Sequence, residues 1–267
     1  MTANPQAVER FDLTGKVAWV IGGAGLLGTE VSRALAEHGA QVIVSDFRAD
    51  QGESLAATLR ESGLEADAVS ADIGDESQVI ALTNDIASKY GKLDVMVNMT
   101  YYYTKKPWIE LTAADFDACM RVSLTGAFVA TREVGKLMVQ QGGGSIVHFS
   151  SMYGVVSPDP QMYPDSQAVN PIDYGMAKAG ILQMVRYQAV QLARSGVRVN
   201  AIVPGPFPIP STQGQDSEFM KRLRNKVPMG RVGNAPEIAG AVVFLASDAA
   251  SYVTGTQITV DGGWTAW

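Results

Sequence analysis

Short apolar runs rich in β-branched residues alternate along the chain with longer stretches in which alanine and leucine recur every three or four positions. Short runs of this kind predict β-strands, whereas the longer periodic stretches predict amphipathic helices. Strands are predicted at residues 16–21, 41–45, 66–70, 93–98, 145–149, 197–203 and 257–260. Helices are predicted at residues 26–38, 51–61, 76–89, 113–141, 174–194 and 236–246.

This alternation predicts an α/β fold, a single-domain Rossmann-type doubly wound parallel β-sheet with helices on both faces, over residues 1–267. Ligands of such folds bind at the carboxyl ends of the strands, so motifs that carry chemistry should lie there. Two proline-containing stretches, residues 152–172 and 204–216, are long for simple connections. Long loops in compact domains are typical of binding sites, and both stretches are predicted to be substrate loops.

Composition narrows the class of protein. The chain has 21 basic and 27 acidic residues, a net charge of −6, which does not favour nucleic acid or an anionic membrane as a partner. No apolar run is long enough to span a bilayer, and residues 1–16 lack the apolar segment of a signal peptide. Cys119 is the single cysteine, interpreted as a small apolar helix residue rather than a nucleophile. We expect a cytoplasmic protein with no nucleic-acid partner, no membrane partner and no metal site.

A glycine-rich turn follows the first predicted strand and opens the first predicted helix. Gly22, Gly25 and Gly28 would let backbone N–H groups approach a pyrophosphate at the positive end of the helix. Asp46 ends the second strand, where a carboxylate can accept hydrogen bonds from ribose hydroxyls and repel a 2′-phosphate. No basic residue lies in the turn, which favours NAD over NADP, although Arg48 is near enough to complicate that charge argument.

Tyr174 and Lys178 are four residues apart, which places a phenol and an ammonium group on the same face of the predicted helix. A free tyrosine has a pKa of about 10 and is a poor base at neutral pH. A nearby ammonium group favours the phenolate, so Lys178 is expected to lower the pKa of Tyr174. Tyr174 could then exchange a proton with a carbonyl or alcohol oxygen.

Taken together, the motifs resemble the classical short-chain dehydrogenases over nearly the whole chain, from about Leu13 to Gly263. The matching segments are residues 22–28, 71–73, 93–98, 122–128, 145–151, 174–178, 197–205 and 260–263. The resemblance implies a nicotinamide-dependent oxidoreductase and a homo-oligomer, expected to be a tetramer with residues 235–260 as interface material.

The resemblance also implies individual roles. Ser151 would hydrogen-bond the reacting oxygen, Tyr174 would be the acid/base, and Lys178 would hold the nicotinamide ribose. The residues implied to contact the cofactor are Gly22, Gly25, Leu27, Gly28, Asp46, Asp72, Ile73, Asn98, Tyr174, Lys178, Pro204 and Gly205.

Four departures from the family pattern are visible. Leu26 stands where the family usually has a middle glycine, and Met99-Thr100-Tyr101 follows Asn98 where the family usually continues Asn-Ala-Gly. Ser123 stands where the family often has an asparagine that completes a proton relay, and the resemblance implies a catalytic role for Ser123 at that position. Ser151 and Tyr174 are 23 positions apart, a longer gap than is usual, so residues 152–172 contain an insertion over the expected substrate site.

The leading hypothesis is hydride transfer between NAD(H) and a secondary alcohol or ketone. A dinucleotide-binding sensor without turnover, and an epimerase or dehydratase that acts through transient oxidation, are the alternatives. Residues expected to crowd the pocket favour a small polyhydroxylated substrate such as a sugar, sugar acid or polyol, while a hydrophobic ketone or a 3-oxoacyl thioester stays open. These residues are Tyr101, Tyr102, Tyr103, Trp108, Met152, Tyr153 and Tyr163.

Overall fold

All seven predicted strands form, and they lie side by side in one parallel sheet of order β3-β2-β1-β4-β5-β6-β7. The computed structural model describes residues 9–164, 168–209 and 217–267. The strands are β1 (Val17–Ile21), β2 (Gln41–Ser45), β3 (Ala66–Val69), β4 (Val95–Asn98), β5 (Gly144–Phe149), β6 (Val197–Pro204) and β7 (Gln257–Val260). The predicted Rossmann-type fold class is therefore confirmed.

Helices cover both faces of this sheet. They are α1 (Leu26–Glu37), α2 (Ala49–Glu61), α3 (Glu76–Tyr90), α4 (Ala113–Met120), α5 (Gly126–Gln141), α6 (Ile172–Leu192), α7 (Glu218–Lys226) and α8 (Ala239–Ala246). Side chains of α1, α2 and α8 pack on one face, and those of α3, α5 and α6 pack on the other. Successive β1 residues alternate between the two cores, with Val20 in one and Trp19 in the other, as the pleat of a strand requires.

The direction in which the sheet grows reverses at β1, which has β2 on one side and β4 on the other. Ile21, the last residue of β1, is in register with Ser45 of β2 and Asn98 of β4. The segments that follow these three strands therefore start at the same edge of the sheet. A crevice at such a reversal is where open α/β folds bind their ligands.

One predicted helix differs from the structure, and one helix of the structure was not predicted. The long helix predicted over residues 113–141 is divided by a π-helical turn, Arg121–Thr125, between α4 and α5. Single π turns interrupt helices mostly at functional sites, and no periodicity signals one. Helix α7 was not predicted, because its nine residues are mostly charged and only Met220 and Leu223 are buried.

The turn between β1 and α1 is closely packed at Gly28. A Cβ atom on Gly28 would lie 2.2 Å from the carbonyl oxygen of Gly22. Because that oxygen belongs to the backbone, relieving the clash would require the whole turn to move. A Cβ atom on Gly25 would meet nothing nearer than 3.5 Å. The two glycines therefore have different functions: Gly28 lets α1 approach the sheet, whereas Gly25 leaves open space at the start of the helix.

We predict that Gly28→Ala lowers the free energy of unfolding by about 2–3 kcal/mol, the usual cost of overpacking. Gly25→Ala is the matched control and should change stability by less than about 0.5 kcal/mol, because its backbone φ of −73° suits alanine. Urea denaturation followed by circular dichroism measures both variants. Equal losses of stability would contradict this account of the turn.

Candidate active site

The first turn of α1 exposes backbone donors at the sheet edge. Gly25 is the N-cap residue and provides no side-chain hydrogen bond, and no acidic residue lies in the first turn. Gly22 has a φ of +78°, a conformation that favours glycine, and its N–H donates to the Ser45 carbonyl. Leu26, the departure from the family's glycine pattern, is 39% exposed and points away from the turn, while Leu27 packs against the core.

The carboxylate of Asp46 lies at the end of β2 and is buried. Its Oδ1 accepts a hydrogen bond from the Arg48 backbone N–H and another from Arg48 Nε, each at 3.1 Å. The Arg48 guanidinium also lies 5.2 Å from the centre of the exposed Phe47 ring. Arg48 is thus engaged by Asp46 in this structure, which is the pairing that the sequence alone left open.

The other predicted cofactor residues differ in how they are placed. Asn98 is buried, and its Oδ1 accepts hydrogen bonds from the Thr100 N–H at 3.1 Å and the Thr100 hydroxyl at 2.7 Å. Asp72 is exposed and accepts from the Gly74 N–H, whereas the Ile73 side chain is buried in the core. Only the backbone of Ile73 is therefore available to a nucleotide.

The end of β6 is closely packed as well. Pro204 is the last residue of the strand, and the Gly205 N–H donates to the Val260 carbonyl at 2.9 Å. A Cβ atom on Gly205 would lie 2.5 Å from Asp261 Cα, so a larger residue would push the two segments apart. Of the predicted loop 204–216, residues 210–216 lie outside the described residues.

These features fit a dinucleotide. The α1 N-terminus has uncapped backbone donors where a pyrophosphate requires them, and the cradle formed with residues 99 and 100 would be filled by a Cβ on Gly22. The Asp46 carboxylate lies on the strand next to this turn, where a ribose diol would find an acceptor.

Ser151, Tyr174 and Lys178 come together beside this edge. The Ser151 hydroxyl lies close enough to the Tyr174 phenol to lower its pKa, and Ser151 Oγ accepts from the Tyr153 N–H at 3.1 Å. The Lys178 side chain is buried, and its Nζ donates to the Phe149 carbonyl at 2.8 Å and the Thr100 carbonyl at 3.2 Å. The Lys178 Nζ lies 5.8 Å from the centre of the Tyr174 ring.

The pKa of Tyr174 differs from the sequence-based expectation. Burial raises it to about 12, and the opposing effect of the Ser151 hydroxyl is smaller. Burial also lowers the pKa of Lys178 to about 8. Lys178 was expected to lower the pKa of Tyr174, but burial outweighs that effect. Neighbouring aromatic rings exclude water from the phenol, and the Lys178 ammonium group donates its hydrogen bonds to backbone carbonyls.

Ser123 lies in the π-helical turn and holds the backbone of the loop that follows β4. Its hydroxyl accepts from the Tyr102 N–H at 2.8 Å and donates to the Tyr102 carbonyl at 3.0 Å. Cys119 Sγ donates to the same carbonyl at 2.9 Å, and burial raises the pKa of its thiol to about 11. A buried thiol with a raised pKa is a poor nucleophile, as the sequence interpretation of Cys119 expects. The relay role of Ser123 stays a prediction.

Asp173 is a site residue that the sequence reasoning missed. Its side chain is fully buried, Oδ1 accepts from the Tyr174 N–H at 2.9 Å, and Oδ2 accepts from the N–H and hydroxyl of Thr104, each at 3.2 Å. An acidic residue directly before Tyr174, at the buried start of a helix, was the available signal. The Asp173 carboxylate connects the catalytic helix to the loop after β4.

The insertion before α6 is ordered where it is described. It forms two short 3₁₀ turns, Met152–Gly154 and Pro160–Met162, and residues 165–167 lie outside the described residues. Lys226 of α7 makes an ion pair with Asp159 at 2.7 Å, and Arg222 donates to the Gln161 carbonyl at 3.0 Å. The insertion and α7 share a small core made of Met152, Met162, Met220, Leu223, Val227 and Trp264.

The remaining predicted pocket residues fall into two groups. Tyr101 and Tyr103 contact Tyr174, and the hydroxyl groups of Tyr153 and Tyr163 are hydrogen-bonded to each other at 2.9 Å. Trp108 is 70% exposed, and no ring pair within the described part of the chain includes Trp108 or Tyr102. The pocket role of these last two residues stays a prediction.

A doubly wound sheet with a dinucleotide cradle and an assembled Ser-Tyr-Lys set defines an oxidoreductase that uses a nicotinamide dinucleotide and acts on alcohols or ketones. Comparison with known proteins agrees. A family model described as enoyl-(acyl carrier protein) reductase matches residues 23–265, and the chain belongs to the classical short-chain dehydrogenase/reductase family. Within the described residues, no helix has both the length and the apolar character needed to cross a membrane.

Two curated relatives cover nearly all of the chain. It is 37% identical over 252 residues to cis-4-hydroxycyclohexanecarboxylate dehydrogenase of Sinomonas cyclohexanicum, with 94% of this chain and 97% of the relative covered. It is 32% identical to D-threitol dehydrogenase of Mycolicibacterium smegmatis, with 96% and 95% covered. Among solved structures, a gluconate 5-dehydrogenase from Burkholderia cenocepacia in complex with NADP and tartrate superposes with a TM-score of 0.89 at 28% identity, covering 98% of this chain and 99% of the other.

We predict that Asp173→Ala lowers the free energy of unfolding by about 2–4 kcal/mol, because three buried donors lose their acceptor. Thr104→Val is the matched control; it removes only one hydroxyl donor and should cost about 1 kcal/mol. Urea denaturation compares the two variants with the unmodified protein. A loss for Asp173→Ala no larger than that for Thr104→Val would show that the carboxylate does not tie helix and loop together.

Proposed function

We propose that this chain is an NAD(H)-dependent dehydrogenase that interconverts a secondary alcohol and a ketone of a small polyhydroxylated molecule, such as a sugar acid or polyol. The observation that carries the proposal is the assembly of Ser151, Tyr174 and Lys178 next to the dinucleotide cradle at the sheet edge. The names of the relatives support it, since one acts on a cyclic hydroxy acid and another on a tetritol. This assembly also argues against a sensor without turnover.

Tyr174 is the proposed general acid and base. With its pKa raised to about 12 by burial, the phenol is protonated at neutral pH and can donate its proton to a ketone oxygen. The Ser151 hydroxyl is near enough to the Tyr174 phenol to affect its pKa, so a reacting oxygen held by Ser151 would lie within reach of the phenol. Lys178 has three N–H donors, and the two directed at carbonyls in the described residues leave one for a ribose hydroxyl.

The dinucleotide would be held by the glycine turn at its pyrophosphate, by Asp46 at the adenosine ribose and by Lys178 at the nicotinamide ribose. When bound, the nicotinamide supplies hydride acceptance or donation. Asn98 and Gly205 contribute by fixing the backbone beside this site. Ser123 has the same effect through the Tyr102 backbone.

NAD(H) is the proposed cofactor because Asp46 is buried, accepts hydrogen bonds and already occupies Arg48. A 2′-phosphate would have to displace Arg48 from Asp46 and then lie beside the carboxylate. Two gluconate 5-dehydrogenase structures that resemble this chain are named with NADP. The proposal of NAD(H) therefore rests on the Asp46–Arg48 pair of this chain and not on its relatives.

The insertion and α7 are proposed to cover the substrate. The Tyr153 N–H donates to Ser151 Oγ at 3.1 Å, and a Cβ atom on Gly175 would lie 3.1 Å from the Tyr153 carbonyl oxygen, so the insertion reaches the neighbourhood of Tyr174. A ligand pocket that combines apolar faces with a few hydroxyl groups suits a small molecule of mixed polarity. The predicted substrate loops 152–172 and 204–216 stay proposals, and their residues 165–167 and 210–216 lie outside the described residues.

A homo-oligomer, expected to be a tetramer, also stays a proposal. Large apolar residues are exposed on adjacent helices α5 and α6, namely Phe128, Val139, Tyr187 and Val190. Tyr252, within the predicted interface segment 235–260, is fully exposed. Contiguous exposed apolar surface of this kind is typical of protein interfaces.

We predict that Tyr174→Phe lowers kcat by at least about 100-fold in both directions, because the ring stays but the exchangeable proton is lost. NADH binding, measured by fluorescence titration, should change by less than about threefold, since the phenol oxygen is not a main cofactor contact. Stopped-flow measurement of NADH absorbance gives the rates.

The pH dependence separates this role from a structural one. Ketone reduction uses the protonated phenol, so kcat/KM should be maintained at neutral pH and fall only as the pH rises toward the raised pKa of Tyr174. Alcohol oxidation uses the deprotonated phenol and should rise with pH over the same range. A Tyr174→Phe enzyme with most of its activity and an unchanged pH profile would refute the mechanism.

We predict that kcat/KM is at least about tenfold higher with NADH than with NADPH on one substrate. Asp46→Ser should reverse this preference, because it removes the carboxylate and releases Arg48 for a 2′-phosphate. The double variant Asp46→Ser with Arg48→Ala is the control and should not gain activity with NADPH. A preference of the unmodified enzyme for NADPH would sink the NAD(H) proposal while leaving the reaction class intact.

A further inference from the structure

In the loop after β4, side chains from other elements form hydrogen bonds with every second residue, namely Thr100, Tyr102 and Thr104. Lys178 Nζ donates to the Thr100 carbonyl, Ser123 Oγ bonds both the N–H and the carbonyl of Tyr102, and Asp173 accepts from the N–H and hydroxyl of Thr104. Five hydrogen bonds from three side chains therefore fix a segment of five residues. Such a segment cannot shift without leaving buried polar groups unpaired.

The intervening residues direct their rings at the acid/base. Tyr101 and Tyr103 are stacked with ring centres 5.9 Å apart and an angle of 12° between their planes. Each meets Tyr174 edge to face, Tyr101 at 5.9 Å and 82° and Tyr103 at 5.8 Å and 70°. Alternation of backbone contacts and ring contacts is the period-two pattern of an extended chain. We call the stacked pair Tyr101 and Tyr103 the tyrosine wall.

A second pair of phenols lies on the insertion beside the acid/base. The Tyr153 N–H donates to Ser151 Oγ at 3.1 Å, and a Cβ atom on Gly175, the residue after Tyr174, would lie 3.1 Å from the Tyr153 carbonyl oxygen. The hydroxyl groups of Tyr153 and Tyr163 bond to each other. The reacting oxygen would thus lie between a flat aromatic surface on the β4 loop and a hydroxyl-bearing surface on the insertion.

We propose that the tyrosine wall is a specificity determinant that selects secondary alcohols whose carbinol carbon belongs to a ring. The proposal rests on the proposed function and names the substrate class of that same site. A ring can lay one C–H face flat on the stacked phenols while its hydroxyl meets Tyr174.

An open-chain alcohol is at a disadvantage in the same place. It must lose several torsional freedoms to present a flat apolar surface, and this entropy is subtracted from its binding free energy. A wall fixed by Lys178, Ser123 and Asp173 cannot rearrange to follow a different shape. Rigid aromatic surfaces discriminate by fit because dispersion contacts are lost over small gaps.

The experiment compares ring and open-chain alcohols that have the same number of carbon atoms and of hydroxyl groups. One pair is myo-inositol and sorbitol, each with six carbons and six hydroxyls, and the other is cyclohexanol and methyl n-butyl carbinol. We expect kcat/KM to favour the ring compound by at least about tenfold in at least one pair, mainly through KM. Tyr101→Ala and Tyr103→Ala should each reduce that ratio by about fivefold or more, with NADH affinity within about threefold of the unmodified protein.

The chain offers two matched controls. Tyr102→Ala lies in the same loop, has a side chain that is 44% exposed, and should leave the ratio within about twofold. Tyr101→Phe and Tyr103→Phe keep the rings and should keep the preference. Circular dichroism of every variant shows whether the loss reflects the wall or the fold.

Binding measurements keep this proposal separable from the proposed function. Calorimetric titration of the Tyr174→Phe protein with NAD and each alcohol reports ring preference without turnover. Active enzyme with no ring preference, or a preference unchanged in Tyr101→Ala and Tyr103→Ala, overturns the tyrosine wall and leaves the dehydrogenase assignment standing. Failure of the unmodified protein to turn over and of the Tyr174→Phe protein to bind any of the four alcohols overturns the tyrosine wall as well. Ring-selective binding without any oxidation overturns the proposed function and supports the wall.

Discussion

The buried ammonium group of Lys178 is the constraint on which the rest of the site depends. Burying a cation is costly unless its donors are satisfied, and Lys178 satisfies two of them with the carbonyls of Phe149 and Thr100. Phe149 ends β5, and Thr100 lies at the start of the loop after β4, so one side chain on α6 ties together two neighbouring segments of the sheet edge. Burial lowers the pKa of Lys178 to about 8, because removal from water disfavours the charged form.

The same arrangement determines the surroundings of the Tyr174 phenol. Because Lys178 directs its hydrogen bonds at backbone oxygens, and because Tyr101 and Tyr103 exclude water, the phenol is held in its neutral form in the protein alone. The nearby Ser151 hydroxyl favours ionisation. The site is therefore built to hold a proton at the phenol until a bound reactant changes the balance.

The parts that could be predicted from the sequence are those encoded by short-range spacing. Three such features are present in the structure: the strands, the glycines Gly22 and Gly28 of the first turn, and the four-residue separation of Tyr174 and Lys178. Each depends on the conformation of a few consecutive residues. What could not be predicted depends on residues far apart in the chain. Asp173 meets Thr104 across 69 positions and Lys178 meets Thr100 across 78, and no local pattern identifies such partners. Helix α7 was missed because most of its residues are charged, and its two buried residues, Met220 and Leu223, pack on an insertion whose position the sequence does not reveal.

Two of the departures from the family pattern, residues 99–101 and Ser123, both concern the hydrogen bonding of backbone groups after β4. Residues 99–101 are larger here than the Asn-Ala-Gly that is usual in the family, and Tyr102 and Tyr103 follow them. Such a loop needs fixed backbone positions if the rings of Tyr101 and Tyr103 are to contact Tyr174. Ser123 supplies two of the hydrogen bonds and Asp173 supplies two more, and both lie on helices that also carry or adjoin the acid/base. Replacement of the relay asparagine by Ser123 is thus linked to Tyr101 and Tyr103, since a short hydroxyl side chain can reach the Tyr102 backbone as both donor and acceptor. The position of the loop after β4 and the surroundings of the Tyr174 phenol therefore depend on the same hydrogen bonds.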